Sequence, residues 1–229
     1  MGSRRIFLSN SSISYQQWGS PNATKKVLAI HGWLDNSNSF KFLGPYLGDR
    51  GFHVVAYDNI GHGHSTHESA SSNNYNVAPY IGRCRDVIEA LKWDSCSIVG
   101  HSLGASLTTL FAGTHPEIVE KIALIDGFAT PMTQPAAKAA ANFRRAIDSE
   151  RKYKIRLATN SDPKLYKTLS DAIAARMASV NTYPGKQFLS FEAASTLVAR
   201  YSHHIASPVA LDCFEFTMSY ICHCTGESL

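Results

Sequence analysis

One pentapeptide constrains this chain more than any other feature. Gly100-His101-Ser102-Leu103-Gly104 stands directly after an apolar run, 97–100, and directly before a stretch with helical spacing, 103–113. G-x-S-x-G between a strand and a helix describes a sharp turn that strains the serine backbone. The glycines on either side keep Cβ atoms out of the bend, and the serine Oγ is left exposed above the sheet. Such a serine also heads a helix, whose unpaired N–H groups favour developing negative charge. Ser102 is therefore a candidate nucleophile, the alternative being a turn with a purely structural role.

A turn of this kind needs a sheet around it. Val27-Leu-Ala-Ile30 and Val54-Val-Ala-Tyr57 are short apolar runs bounded by turn residues, the pattern of strands buried on both faces, and 97–100 and Lys121-Ile-Ala-Leu-Ile125 read the same way. Between the second and third runs, 76–93 carries Val77, Tyr80, Ile81, Cys84, Val87, Ile88 and Leu91 at three- and four-residue steps, with Arg83, Arg85, Asp86 and Glu89 between them. That spacing predicts an amphipathic helix. Strand, helix, strand, helix, strand predicts an α/β class with a mostly parallel sheet and right-handed crossovers.

After Asp126 the texture changes. Residues 131–200 are rich in Ala, Lys and Arg, punctuated by Pro131, Pro135, Pro163 and Pro184, and contain no strand-like run. Helices are expected over 136–158, 164–180 and 191–201, the last with Ser190 as N-cap and Glu192 in its first turn. The chain thus divides into a core over 1–130, a helical cap over 131–205 and a divergent tail over 206–229.

Composition narrows the class. With 229 residues, 44% hydrophobic and 17% charged, the chain is a folded one-domain protein rather than a disordered or collagen-like one. No run reaches the roughly 18–20 apolar residues of a spanning helix. Met1 to Ile6 is basic but leads into polar Ser9-Asn-Ser-Ser12, unlike a secretory signal, so the expected location is cytoplasmic. A peroxisomal or perinuclear site stays open, the ending Glu-Ser-Leu229 being only loosely like a peroxisomal address. Five unevenly spaced cysteines fit reduced thiols.

The net charge of +4 is concentrated in 138–167, with nine Lys/Arg against three acids. A solvated helix face is the expectation, with no nucleic-acid partner. Cys222-His223-Cys224 and histidines 62, 64 and 67 invite a metal reading, but no second ligand pair at zinc-site spacing exists. No metal and no cofactor are expected, and the turn over 58–65 is read as carrying surface imidazoles.

His31-Gly32-Trp33 ends the first apolar run. The backbone N–H of Trp33 would lie beside that of Leu103 and form a two-donor oxyanion hole. Its indole is read as packing under a loop, and His31 as a hydrogen bonder that stabilises the loop rather than as a base. Gly100, His101, Gly104, His31 and Gly32 are then supporting residues.

Together, His31-Gly-Trp-Leu-Asp-Asn36, Asp58-x-x-Gly-His-Gly-x-Ser65, Gly100-His-Ser-Leu-Gly104 and Leu124-Ile-Asp126-Gly127 resemble the α/β-hydrolase superfamily, and within it the serine hydrolase-like protein family. The resemblance extends over about 10–205, including Leu189-Ser-x-Glu-Ala-Ala-x-x-Leu-x-x-Arg200, which is similar to a cap-helix segment of that family. It implies an α/β-hydrolase fold, Ser102 as nucleophile, Trp33 and Leu103 as oxyanion donors, and a small acyl substrate. An ester, thioester or amide would be hydrolysed through an acyl-enzyme. Serine at the turn departs from the aspartate of dehalogenases and soluble epoxide hydrolases.

A serine also needs a histidine base oriented by a carboxylate, supplied in this superfamily in the order Ser, acid, His. Asp126 is the candidate acid, the alternative being a carboxylate that caps the turn to Gly127. The histidine is unidentified. Asp212 and His223 are too close in sequence to hold the intervening helix and strand, and His203 and His204 read as surface residues. Residues 202–229 are too few to complete the sheet, so a C-terminally truncated or alternatively spliced form, or an incomplete gene model, is expected. Without its base such a form would be catalytically impaired and act as a ligand-binding or interaction protein. Its exposed sheet edge would also be open to self-association.

Overall fold

Alternation with a period of two builds the centre of the sheet. In β3 (Lys25–Ile30), Val27 and Ala29 face one side and Leu28 and Ile30 the other; in β4 (Phe52–Tyr57), Val54 and Ala56 oppose Val55 and Tyr57. All eight are buried, as strands covered on both faces require. The computed structural model describes residues 4–67, 77–127, 168–180 and 188–200, with Tyr166 and single positions between 137 and 155. Among the described residues six strands run in the order β1-β2-β4-β3-β5-β6, adding β1 (Arg4–Phe7), β2 (Ser12–Trp18), β5 (Cys96–His101) and β6 (Val119–Ile125). The pairs β4–β3, β3–β5 and β5–β6 are parallel, whereas β1 and β2 join antiparallel at the other edge.

Helices cover both faces. The short α1 (Leu43–Gly48) brings Leu43 and Leu47 onto the side of Trp18, Val27, Ala29, Val54 and Ala56. On the opposite side α2 (Val77–Ala90) buries Tyr80, Cys84, Val87 and Ile88, and α3 (Leu103–Thr114) buries Leu107 and Phe111. The two longer helices fall where periodicity expects them. Cys84 and Cys96 are free, buried thiols, pushed up to about 12 by burial. The strand at 119–125 departs from expectation. Among the described residues β6 pairs only with β5 and stands at the edge of the sheet, with Ile122 and Ile125 each 44% exposed rather than buried on both faces.

Beyond β6, α4 (Leu169–Ser179) starts at Thr168, whose hydroxyl accepts from the N–H of Asp171 while the Asp171 carboxylate accepts from the Thr168 N–H. α5 (Phe191–Ala199) starts at Ser190, the expected N-cap. Both are shorter than the spacing suggests. They pack together through Ala172, Ile173, Ala194 and Val198, where alanines allow close approach. Within 136–158, Ala140, Ala141, Arg144, Ile147, Asp148, Arg151 and Ile155 are helical. The expected boundaries near 130 and 205, the tail 206–229, His203, His204, Asp212 and His223 lie outside the described residues.

The helix pair is tied to the loop after β3. Asn36 Nδ2 donates to Leu197 O (2.9 Å), Asn38 Nδ2 to Thr196 O (2.8 Å) and Lys41 Nζ to Thr196 Oγ1 (2.6 Å). A stronger tie follows α5. Arg200 Nε donates to both carboxylate oxygens of Asp58 (2.9 and 2.8 Å), and its Nη2 donates to Ser14 Oγ (3.2 Å). Asp58 is fully buried and also accepts from the N–H groups of Ser37 (2.8 Å) and His64 (2.9 Å). Burial opposes its charge, but the Arg200 guanidinium and these N–H groups outweigh burial and hold the carboxyl below its ordinary range. Gly63, at φ +51°, lets the chain wrap this carboxylate, since a Cβ there would overlap it.

Removing one partner of a buried pair leaves an uncompensated charge. Arg200→Met is expected to destabilise the chain by about 3–5 kcal/mol in urea unfolding, with part of the loss recovered when Asp58→Asn is added. The depressed Asp58 pKa contributes stability above its unfolded value, about pH 4, and loses it as pH falls through the folded value. A wild-type midpoint in the Arg200→Met variant would show that the pair does not hold the helices in place.

Candidate active site

Ser102 has φ +51° and ψ −115°, a strained combination for a residue with a side chain, at the junction of β5 and α3. The flanking glycines are required. A Cβ at Gly100 would overlap Gly104 O and Thr108 Oγ1, and one at Gly104 would overlap Ile30 O at the end of β3. The turn is thereby pressed onto the central strand. Ser102 N donates to Ile125 O (2.9 Å), and a Cβ on Gly127 would lie 3.0 Å from Ser102 O, so the end of β6 closes the other side.

Beside Ser102 runs the turn 32–35, with Leu34 at φ +57°. Gly32 O accepts from His31 Nδ1 (2.7 Å) and from Asp35 N (3.1 Å), and His31 Nε2 accepts from Asn59 N (3.0 Å). Gly32 C=O and Trp33 N–H belong to one planar trans peptide, so a carbonyl held by two donors sets the opposite direction of the Trp33 N–H. His31 is fully buried, both ring nitrogens are engaged, and burial lowers its pKa. Leu103 is the first residue of α3, so its N–H has no carbonyl one turn earlier in the helix. A Cβ on Gly32 would stand 3.2 Å from Ser102 Cβ, which measures how closely the two turns approach.

Histidines 62, 64 and 67 are not surface imidazoles. His62 is buried against His31, Trp33 and Tyr80, with ring centroids 5.2, 5.1 and 6.4 Å away, and His64 and His67 are half-buried. The turn folds inward around Asp58, and that carries His62 under the Trp33 indole. Burial, and then the neighbouring His31, lower the His62 pKa to about 3; its Nδ1 donates to Ile60 O (3.0 Å). Among the described residues no group of three His, Cys, Asp or Glu could hold a metal ion.

His101 faces a carboxylate. Its Nδ1 lies 3.4 Å from Asp35 Oδ2, and Arg176 of α4 donates from Nη2 to Asp35 Oδ1. The hydrogen bond that His101 donates to Asp35 raises its pKa against the effect of burial, and the charges of Asp35 and Asp126 add to it. Asp126 is exposed at the end of β6, at φ +48°. Among the described residues no histidine ring is hydrogen-bonded to Ser102 Oγ. Asp35 and Arg176 carry no expected role in the sequence; Asp35 lies within the quoted motif 31–36, but nothing in the spacing pairs it with a residue 141 positions away.

A mostly parallel sheet with this serine turn after its third parallel strand is the arrangement of an α/β hydrolase. The family model described as alpha/beta hydrolase fold matches residues 25–171, and the chain belongs to that family. It is similar to a serine hydrolase-like protein of Dictyostelium discoideum, 43% identical over 114 residues, which are 50% of this chain and 32% of that protein. The serine hydrolase-like protein of Homo sapiens is 42% identical over 114 residues, covering 50% of this chain and 55% of that one. This chain therefore spans about half or less of these relatives. A crystal structure of a hypothetical protein from Pseudomonas aeruginosa matches with TM-score 0.73 and 36% identity over 87% of this chain and 65% of that one. A thioesterase domain from the curacin biosynthetic pathway shares the fold at TM-score 0.68, with 24% identity over 87% of this chain and 67% of that one.

Because the folded chain keeps His62 neutral, the unfolded chain binds more protons below pH 6.5. The contribution of His62 is fully present above that pH and declines toward about pH 3, by up to ~1.4 kcal/mol per pH unit. His62→Phe should flatten the pH dependence of urea unfolding between pH 6 and 4. A slope equal to wild type would contradict this account of the buried ring.

Proposed function

We propose that the chain is a serine hydrolase that cleaves small acyl compounds, esters, thioesters or amides, through an acyl-enzyme on Ser102. The observation that carries this reading is the left-handed, strained backbone of Ser102 at the head of α3, next to the locked Gly32–Trp33 peptide. Ser102 Oγ attacks the acyl carbon, and the resulting oxyanion accepts from the N–H groups of Trp33 and Leu103. Each such donor is worth about 3 kcal/mol of the barrier. Asp126 is the proposed acid of the triad, and no histidine of this sequence is assigned as its base. In this reading 131–205 is a cap whose helices α4 and α5 limit the size of the acyl group. The relatives' names, serine hydrolase-like, support the reaction class.

The test is a fluorophosphonate probe, which needs an activated serine but no knowledge of the substrate. Stoichiometric labelling of the wild-type chain, abolished in Ser102→Ala, is the expected outcome. Failure to label a chain that unfolds cooperatively would overturn the assignment.

A further inference from the structure

Asp35 lies two residues beyond the peptide that presents the Trp33 N–H. Its own N–H closes the turn onto Gly32 O, and its buried carboxylate is shared between Arg176 of α4 and His101 of the serine turn. A Cβ on Gly32 would meet His101 Nδ1 at 2.9 Å, Asp35 Oδ2 at 3.1 Å and Ser102 Cβ at 3.2 Å. The carboxylate, the imidazole and the serine therefore crowd around one α-carbon. The link from α4 reaches the loop after β3 at this point.

We propose that Asp35 and Arg176 are positioning residues, a latch through which docking of the cap sets the Trp33 N–H toward Ser102. With Arg176 in place, Asp35 is held, its N–H stays on Gly32 O, and the Gly32–Trp33 peptide cannot turn. Without Arg176 the nearly buried carboxylate loses its guanidinium partner, the Asp35 N–H is held less firmly on Gly32 O, and the turn that restrains the peptide relaxes. The donor is thus complete only when the cap is seated, which excludes hydrolysis over an open, water-filled site. The catalytic part of this inference rests on the reading of Ser102 as the nucleophile; the mechanical part does not.

The experiment measures fluorophosphonate labelling, separated into a maximal rate and a half-saturation concentration, alongside backbone hydrogen exchange, in wild type, Asp35→Asn, Arg176→Met and Arg176→Lys. A missing oxyanion donor acts in the transition state, so Asp35→Asn and Arg176→Met should lower the maximal rate about 10²-fold and leave half-saturation within about twofold. Arg176→Lys, which keeps the charge, should recover most of the rate. Exchange at 33–36 should rise in the first two variants while β4 stays protected. An unchanged maximal rate, or exchange raised equally in β4, would overturn the latch. If wild type is not labelled at all, the serine hydrolase reading fails, and the latch is then decided by exchange alone: unchanged protection at 33–36 in Arg176→Met rejects it.

Discussion

The structure hangs on the carboxylate of Asp58. It is fully buried at the end of β4 and accepts from the backbone of the loop after β3, from the backbone of the turn that follows β4, and from Arg200 beyond α5. Arg200 in turn reaches Ser14 in β2. Burying two charges costs desolvation that their attraction only roughly repays, so the pair adds little net stability against a well-packed apolar alternative. Geometry is its contribution. A carboxylate offers a few lone-pair directions, and donors from separated parts of the chain meet on them, so the loop after β3, the inward turn and the end of α5 share one reference point.

That reference point explains what the sequence made legible and what it hid. β3, β4 and β5, with α2 and α3, could be read because burial on one or two faces imposes a period on the apolar residues. β2 could not, because several of its positions are polar for specific partners: Ser14 Oγ accepts from Arg200 Nη2, and Gln16 Nε2 donates to Ser37 Oγ and Asn38 Oδ1. The apolar run of β6 locates a strand correctly but says nothing of whether another element covers it. His62 was misplaced for a related reason. Glycines beside a histidine suggest an exposed turn, whereas here Gly63 lets the turn close on a buried charge.

The serine turn was legible to the residue because its constraint is steric and local: Gly100 and Gly104 are the positions where any Cβ would collide. The same holds for Gly32. Asp35 and Arg176 had no such signature, since an ion pair across 141 residues leaves no local pattern in either segment. Backbone demands are written in neighbouring residue types; side-chain partnerships between elements are written only in the fold.

The two arginines of the helix pair differ in a way that matters for the proposed site. Arg200 and Asp58 have 6% and 0% of their side-chain surface exposed, Arg176 and Asp35 17% and 8%. Water near a charged pair raises the effective dielectric and weakens its attraction, so the Arg176 link is the softer of the two. Asp58 also draws on two backbone N–H groups besides its arginine, whereas Asp35 shares its carboxylate between Arg176 and a titratable imidazole. A helix pair fastened firmly beyond α5 and more loosely at α4 yields first at α4. That is the side on which Asp35 abuts Gly32, so the weaker fastening lies beside the serine turn.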